Sequence, residues 1–228
     1  ESFIKYQLFN REVELSEAET LRNLSELHSK EILKSSFKKA IDELTVTDKG
    51  TAEVKNFISL KLTKPKITEN QPFIVPKKSV FNKIIGDNPF ELELASFLEG
   101  RFDDVTSYAK NTMGEGGVNF KIEYQAEDGN IREYYPDFFV KTEAKTFFIL
   151  ETKGREDLDD LLKIKRLVTW CKDINFAQKE YIYMPIYVKQ EKWEEIKNDL
   201  KSFNDVIKIF TITENKEVKI SMNSNSLT

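Results

Sequence analysis

Two short segments hold the residues whose types and spacing could do chemistry. The first is Tyr135-Pro136-Asp137-Phe138-Phe139-Val140, and the second is Phe147-Phe148-Ile149-Leu150-Glu151-Thr152-Lys153-Gly154. Side chains alternate across a strand, so Glu151 and Lys153 share one face and Thr152 takes the other. The run before Glu151 is apolar on both faces, as in a strand buried on both sides. Ionised groups at the end of such a strand are costly unless paired or bound to a metal. A turn between the two segments would bring Asp137 alongside. Two carboxylates can hold a hard cation such as Mg²⁺ while leaving positions open for water and phosphate. The lysine can position or help deprotonate that water and offset phosphate charge. The chemistry this set serves is metal-dependent phosphodiester hydrolysis. Asp and Glu-x-Lys at this spacing also arise by chance. Pro136 before Asp137, the hydrophobic run into Glu151 and Gly154 after Lys153 all agree with the site.

Composition removes most alternatives. Cys171 is the only cysteine and His28 the only histidine among 228 residues. A disulfide framework within one chain is therefore impossible, a zinc site is disfavoured, and Ser-His-Asp or Cys-His catalysis lacks its parts. Chemistry must run on carboxylates, lysines and a recruited metal. The net charge of -4 argues against a uniformly basic, DNA-coating surface, although the lysines suffice for a local basic groove. No apolar run reaches membrane-spanning length and no secretory signal opens the chain, so a cytoplasmic location is expected. The chain opens on Glu1, and a segment of a longer protein is the expectation.

The elements that must position the site follow from periodicity. Residues 16–45 read as helix, with a break near Ser29 and a capping box of Ser16 and Glu19. Residues 47–89 are punctuated by Gly50, Pro65, Pro72, Pro76 and Pro89 and read as an irregular connector with a few short strands. Lys61, Lys64, Lys66, Lys77, Lys78 and Lys83 make it locally basic, as a solvated linker or as a DNA-backbone contact. After Pro89 the pattern turns regular. A helix is expected over 90–102 and a half-buried strand over 118–124. A hairpin turn at Asp128-Gly129 follows, then strands over 131–140 and 145–152. A helix over 156–171, a strand over 181–188, a helix over 191–201 and strands over 206–212 and 218–220 complete the pattern. The fold class is α/β: a mixed sheet flanked by helices over 86–228, with a mainly helical and irregular extension over 1–85. The tail 221–228 is Ser/Asn-rich and expected to fray.

Tyr134-Tyr135-Pro136-Asp137-Phe138 followed by Ile149-Leu150-Glu151-Thr152-Lys153-Gly154 resembles the C-terminal PD-(D/E)xK endonuclease domain of Type III restriction enzyme Res subunits. Asn88-Pro89-Phe90-Glu91, Ala95-Ser96-Phe97-Leu98, Tyr108-Ala109-Lys110-Asn111, Lys165 and Trp170-Cys171 extend the likeness over about residues 81–171. The resemblance implies a restriction-endonuclease-like fold and a Mg²⁺-dependent endonuclease acting on double-stranded DNA, with Mn²⁺ able to substitute. In that family the subunit also carries a superfamily 2 helicase motor and works with a modification (methyltransferase) subunit. This chain has no GxxxxGK[ST] loop and no DEAD-like box, so ATP would enter only through a motor elsewhere. Residues 1–85 would then connect motor to nuclease. The implied catalytic set is Asp137, Glu151 and Lys153. The implied metal ligands are Asp137, Glu151, the backbone carbonyl of Thr152, and Glu91.

Helical phase places Glu91 on the apolar side of the 90–102 helix and Glu93 away from it. Glu91 is either a metal-proximal acid or an acid favoured by the helix dipole. Lys165 falls in phase with Leu158, Leu161, Leu162 and Val168. It reads either as a DNA phosphate contact or as a snorkelling lysine. Trp170 and Trp193 read as core, and His28 as a surface residue. Two readings compete with endonuclease: a silent nuclease-like module that binds DNA or docks a subunit, and a repair nuclease on the same fold.

Overall fold

A computed structural model describes residue 6 and residues 12–47, 52–143, 145–155 and 159–212. The chain divides into two compact units, Glu1–Thr51 and Ala52–Thr228. The first holds α1 (Ala18–Ser25) and α2 (Leu27–Thr47), separated at Glu26, whose backbone is extended. The break thus falls three residues before Ser29. The expected capping box does not form: Glu17 is the N-cap and makes no side-chain cap bond, so Glu19 sits one position too early to serve as its partner. His28 is exposed.

In the second unit, residues 52–88 are mostly irregular, with a 3-10 turn at Leu60–Leu62 and a small antiparallel pair of β1 (Phe73–Ile74) and β2 (Ile84–Ile85). The division falls at 51/52 rather than at 85/86 because this stretch is sewn into the fold that follows. Phe81 and Ile84 are core residues, Tyr108 N–H donates to Lys78 O at 2.9 Å, and Lys64 N–H donates to Gly116 O at 3.0 Å. Several of its lysines have structural duties. Lys78 Nζ donates to Leu98 O at 3.2 Å and Phe102 O at 2.9 Å, and Lys83 lies over the Phe73 ring.

Helix α3 (Pro89–Ser96) begins at an Asn88 cap, whose side chain accepts from Glu91 N–H at 3.0 Å, with Pro89 at the first position. It ends in a π-turn, Phe97–Arg101, where a continuous helix to 102 was expected. Then come β3 (Ser107–Lys110), which the alternation did not reveal, β4 (Ile122–Gln125) and β5 (Ile131–Tyr134). The β4–β5 hairpin turns at Gly129, whose φ of 82° is the left-handed region that glycine enters without strain. Strand β4 starts later than the alternation from Val118 predicts, because Asn119 has φ 54° and breaks the extended run.

The expected strand over 131–140 is two strands. Tyr135-Pro136 separates β5 from β6 (Phe138–Lys141), and the two lie in different sheets. After β7 (Thr146–Lys153), helix α4 (Asp160–Ala177) crosses back to β8 (Ile182–Lys189). The main sheet runs β3-β6-β7-β8, antiparallel except for the parallel β7/β8 pair joined by α4. Helix α5 (Gln190–Ile196) is shorter than expected, and α6 (Phe203–Phe210) replaces the expected strand over 206–212. A complete Ser202/Asp205 capping box starts α6, and Phe203, Val206 and Phe210 are buried at helical spacing. The β-branched residues that suggested a strand cost only tenths of a kcal/mol each in a helix, which the cap and the burial outweigh. The strand expected over 218–220 and the tail lie outside the described residues. No helix among the described residues is long and apolar enough to cross a membrane.

The molecule is thus a mixed α/β protein with a mixed sheet flanked by helices. One sheet face, with Phe138, Val140, Phe148, Leu150, Ile186 and Val188, packs with residues of α3, α5 and α6 that include Leu94, Trp193 and Phe203. The other face presents Ile149 to Leu167 and Cys171 of α4 and to Ile122, Tyr124 and Tyr134 of the hairpin. Strand β7 is buried on both sides, at a gain of roughly 1.5–3 kcal/mol per large apolar side chain.

Candidate functional site

The antiparallel register of β6 and β7 ends with Phe138 opposite Leu150, which leaves Asp137 just beyond it, close enough to Glu151 for the two charges to act on each other. Asp137 N–H donates to Leu150 O at 2.9 Å, so Asp137 stays attached to β7 where the regular pairing ends. On the other side, Asn111 N–H donates to Asp137 O at 2.7 Å, which ties the end of β3 to the same place. Three strand ends therefore meet at the two acids. Pro136 helps explain why Asp137 sits at this boundary: it lacks an N–H and can close one strand without leaving a donor unsatisfied.

Each carboxylate is half-buried and held from one side. Asp137 Oδ2 accepts from Thr152 N–H at 2.7 Å and from Thr152 Oγ1 at 2.6 Å. Glu151 Oε2 accepts from the hydroxyl of Tyr134, the last residue of β5, at 3.0 Å, and Tyr134 is buried. Among the described residues no donor reaches Oδ1 of Asp137 or Oε1 of Glu151. Burial, and then the Glu91 charge, push the Asp137 carboxyl up to about 6, against the opposing pull of Thr152 and Lys110. Burial, and then the Asp137 charge, raise Glu151 well above the usual carboxylate range, despite the Tyr134 hydrogen bond and the nearby Lys153 and Lys163. Two acids that resist ionisation because they share a desolvated place suit a binder of cations.

Lysines frame the pair. Lys153 Nζ lies 2.8 Å from Asp160 Oδ1, and Lys163 Nζ lies 3.3 Å from the same oxygen. Asp160 is the buried first residue of α4, where the helix dipole favours an anion. Lys153 pairs with Lys189 in the parallel register, so the C-terminal ends of β7 and β8 are basic. On the β3 side, buried Lys110 contacts Glu91 and lies 2.9 Å from Asp87. Glu91 Oε2 also accepts from Asp87 N–H at 3.0 Å, and Oε1 accepts from Asn88 Nδ2 at 2.8 Å. Burial acts to lower the Lys110 pKa, but Glu91, Asp87 and Asp137 outweigh it and leave it raised.

The expected residues therefore meet in part. Asp137, Glu151 and Lys153 stand at one end of the central strands, and Glu91 acts electrostatically on Asp137. Thr152 enters through its N–H and hydroxyl. Glu93 does not simply point away: it accepts from Trp193 Nε1 at 3.3 Å and pairs with Lys197 at 2.6 Å. Lys165 is exposed, not on the inward stripe. That stripe is Asp160, Ile164, Leu167, Val168 and Cys171, and Lys165 stands about 100° from Ile164. Lys163, on the opposite flank, is the helix lysine that reaches the site. Tyr134 and Lys110 stand in the motif segments without an assigned role there, and Asp160 and Lys163 are not singled out by the sequence pattern. Asp160 and Lys163 are an i, i+3 pair that a correct helix start would have exposed, whereas Lys110 lies on a strand that left no periodic signal. Trp193 is fully buried, and Trp170 packs edge-on against Phe120 and Tyr183.

Among the described residues no three acidic, histidine or cysteine side chains converge as a ready-made metal cage. The available set is two carboxylates, each with a free oxygen. That set fits Mg²⁺, which is commonly held by one or two carboxylates and keeps several waters. No family model, no curated protein and no solved structure matches this chain.

Proposed function

We propose that the second unit is a Mg²⁺-dependent endonuclease module that hydrolyses DNA phosphodiester bonds on a restriction-endonuclease-like fold, as the cleavage domain of a Type III restriction enzyme. The observation that carries the reading is the placement of Asp137 beside Glu151 at the ends of two buried strands, each with one oxygen that no donor among the described residues reaches, and with Lys153 two residues on. Asp137 and Glu151 would hold the ion, with the Thr152 carbonyl as a further ligand. Bound there, Mg²⁺ would polarise a phosphate and lower the pKa of a water. Lys153, once drawn from Asp160, positions the attacking water and offsets the charge that develops on the phosphate. Lys163 adds positive potential beside Glu151. Tyr134 fixes the orientation of the Glu151 carboxylate, and Thr152 that of Asp137. The substrate is double-stranded DNA, and exposed Lys165 is a backbone contact outside the chemistry. A helicase motor in the full protein and a modification subunit are the proposed partners, and the cytoplasm is the proposed location.

A silent DNA-binding or docking module is the second reading. It is favoured by the pairing of Lys153 with buried Asp160. Plasmid cleavage separates the two. With Mg²⁺ or Mn²⁺ the wild-type chain should nick or linearise DNA, and Asp137→Ala should not. DNA binding with equal traces of cleavage in both would support the silent module.

A further inference from the structure

The acids around the site do not have equal standing. Among the described residues, Asp137 and Glu151 each keep an unbonded oxygen, whereas both oxygens of Glu91 are already bonded. Its Oε1 accepts from Asn88 Nδ2, and its Oε2 takes both Asp87 N–H and the Lys110 ammonium. The Lys110 and Glu91 side chains are 4% and 5% exposed, so neither can exchange its partner for water. Removing one member of a buried ion pair leaves an uncompensated charge, which is strongly destabilising. Lys110 is also fixed by its strand: it pairs with Phe138, the residue after Asp137, and its ammonium lies 5.5 Å from the Phe138 ring centroid. A cation is thus already built in on the Glu91 side of Asp137.

The structure assigns Lys110 as a resident counter-cation that takes the place of a second metal ion, confining divalent-ion binding to one site at Asp137 and Glu151. This rests on the reading of the site as metal-binding. It also assigns Glu91 a role: it holds Lys110 beside Asp137 and is not itself a ligand. Charge explains the arrangement. Three acids with no lysine would invite two divalent ions, whereas Lys110 neutralises Glu91 and leaves two carboxylates for one. Hydrolysis would then proceed with a single ion, and the second positive charge at the phosphate would come from Lys153 and Lys163.

The test is the Mn²⁺ stoichiometry of the full chain, from the electron paramagnetic resonance signal of free Mn²⁺ during titration. Wild type should bind one equivalent. Glu91→Gln, which leaves Lys110 its Asp87 partner, should also bind one, within about 3-fold of the wild-type affinity. Lys110→Met should gain a second equivalent, and Glu91→Gln in that background should remove it. Two equivalents in wild type, or a loss of more than about 10-fold in Glu91→Gln, would overturn the assignment and leave the metal site standing. No binding by wild type at millimolar Mn²⁺ would overturn the reading of the site and this inference with it. If Lys110→Met does not fold, the wild-type and Glu91→Gln titrations still decide the matter.

Discussion

Asp137→Asn should make the metal-free protein more stable near neutral pH while removing its response to metal. The Asp137 carboxyl is raised from 3.8 to about 6, so the folded state holds the proton more tightly than the unfolded state does. The contribution of this group to stability is fully present below about pH 4 and is lost as pH rises through about 6. At about 1.4 kcal/mol per pH unit, the ionised form costs the native state about 3 kcal/mol at pH 7.5. Solvent at the half-buried carboxylate screens part of that, leaving ~1–3 kcal/mol. Asparagine keeps an oxygen to accept from Thr152 and carries no charge, and it relieves the repulsion on Glu151 as well. In a domain of this size each kcal/mol moves Tm by about 2–4 °C. Thermal melts in EDTA should place Asp137→Asn ~2–12 °C above wild type at pH 7.5, with little difference at pH 4. Saturating Mn²⁺ should raise the wild-type Tm and leave the variant in place. A variant less stable than wild type at pH 7.5, or a gap that widens as pH falls, would refute this account of the site's electrostatics.

Three further outcomes follow from the geometry. Tyr134→Phe removes the hydrogen bond to the Glu151 carboxylate and should weaken Mn²⁺ binding by about 1 kcal/mol, or roughly fivefold, with far-UV spectra unchanged; calorimetric titration measures it. Leu150→Ala, at a fully buried position in β7, should destabilise by about 2–5 kcal/mol in urea melts. Cleavage by the isolated chain should be weak, need high protein concentration and fall steeply with salt, because a net charge of -4 gives little overall attraction to DNA. Tethering to a DNA-bound motor would supply effective concentrations on the order of millimolar. Fast, salt-insensitive cutting at nanomolar protein would contradict delivery as the gate.

The parts of the fold that two-residue alternation and turn chemistry govern were legible in the sequence. Strands β7 and β8, the hairpin at Asp128-Gly129 and the meeting of Asp137 with Glu151 all follow from local pattern. Tertiary context decided the rest. The 206–212 run reads as strand by composition, but the Ser202/Asp205 cap and the core contacts of Phe203 and Val206 make it a helix. Strand β3 has three consecutive buried residues in Ser107–Lys110, so it offers no alternation to find. In α4, phasing from Leu158 puts Lys165 inward, whereas the observed buried stripe through Ile164 sets Lys163 toward Asp160 and the site. Pairings that link distant segments, such as Lys110 with Glu91, have no local signature.

The most direct test of the central claim is single-turnover cleavage of a DNA duplex at saturating protein in low salt with Mn²⁺, comparing wild type with Glu151→Gln. Glutamine can still accept from Tyr134 and keeps the strand packing, so the variant should fold and bind DNA as wild type does. The account predicts metal-dependent strand scission by wild type and a rate at least about 100-fold lower in the variant. Scission at equal rates in both, or none by wild type bound fully to the duplex, would contradict it.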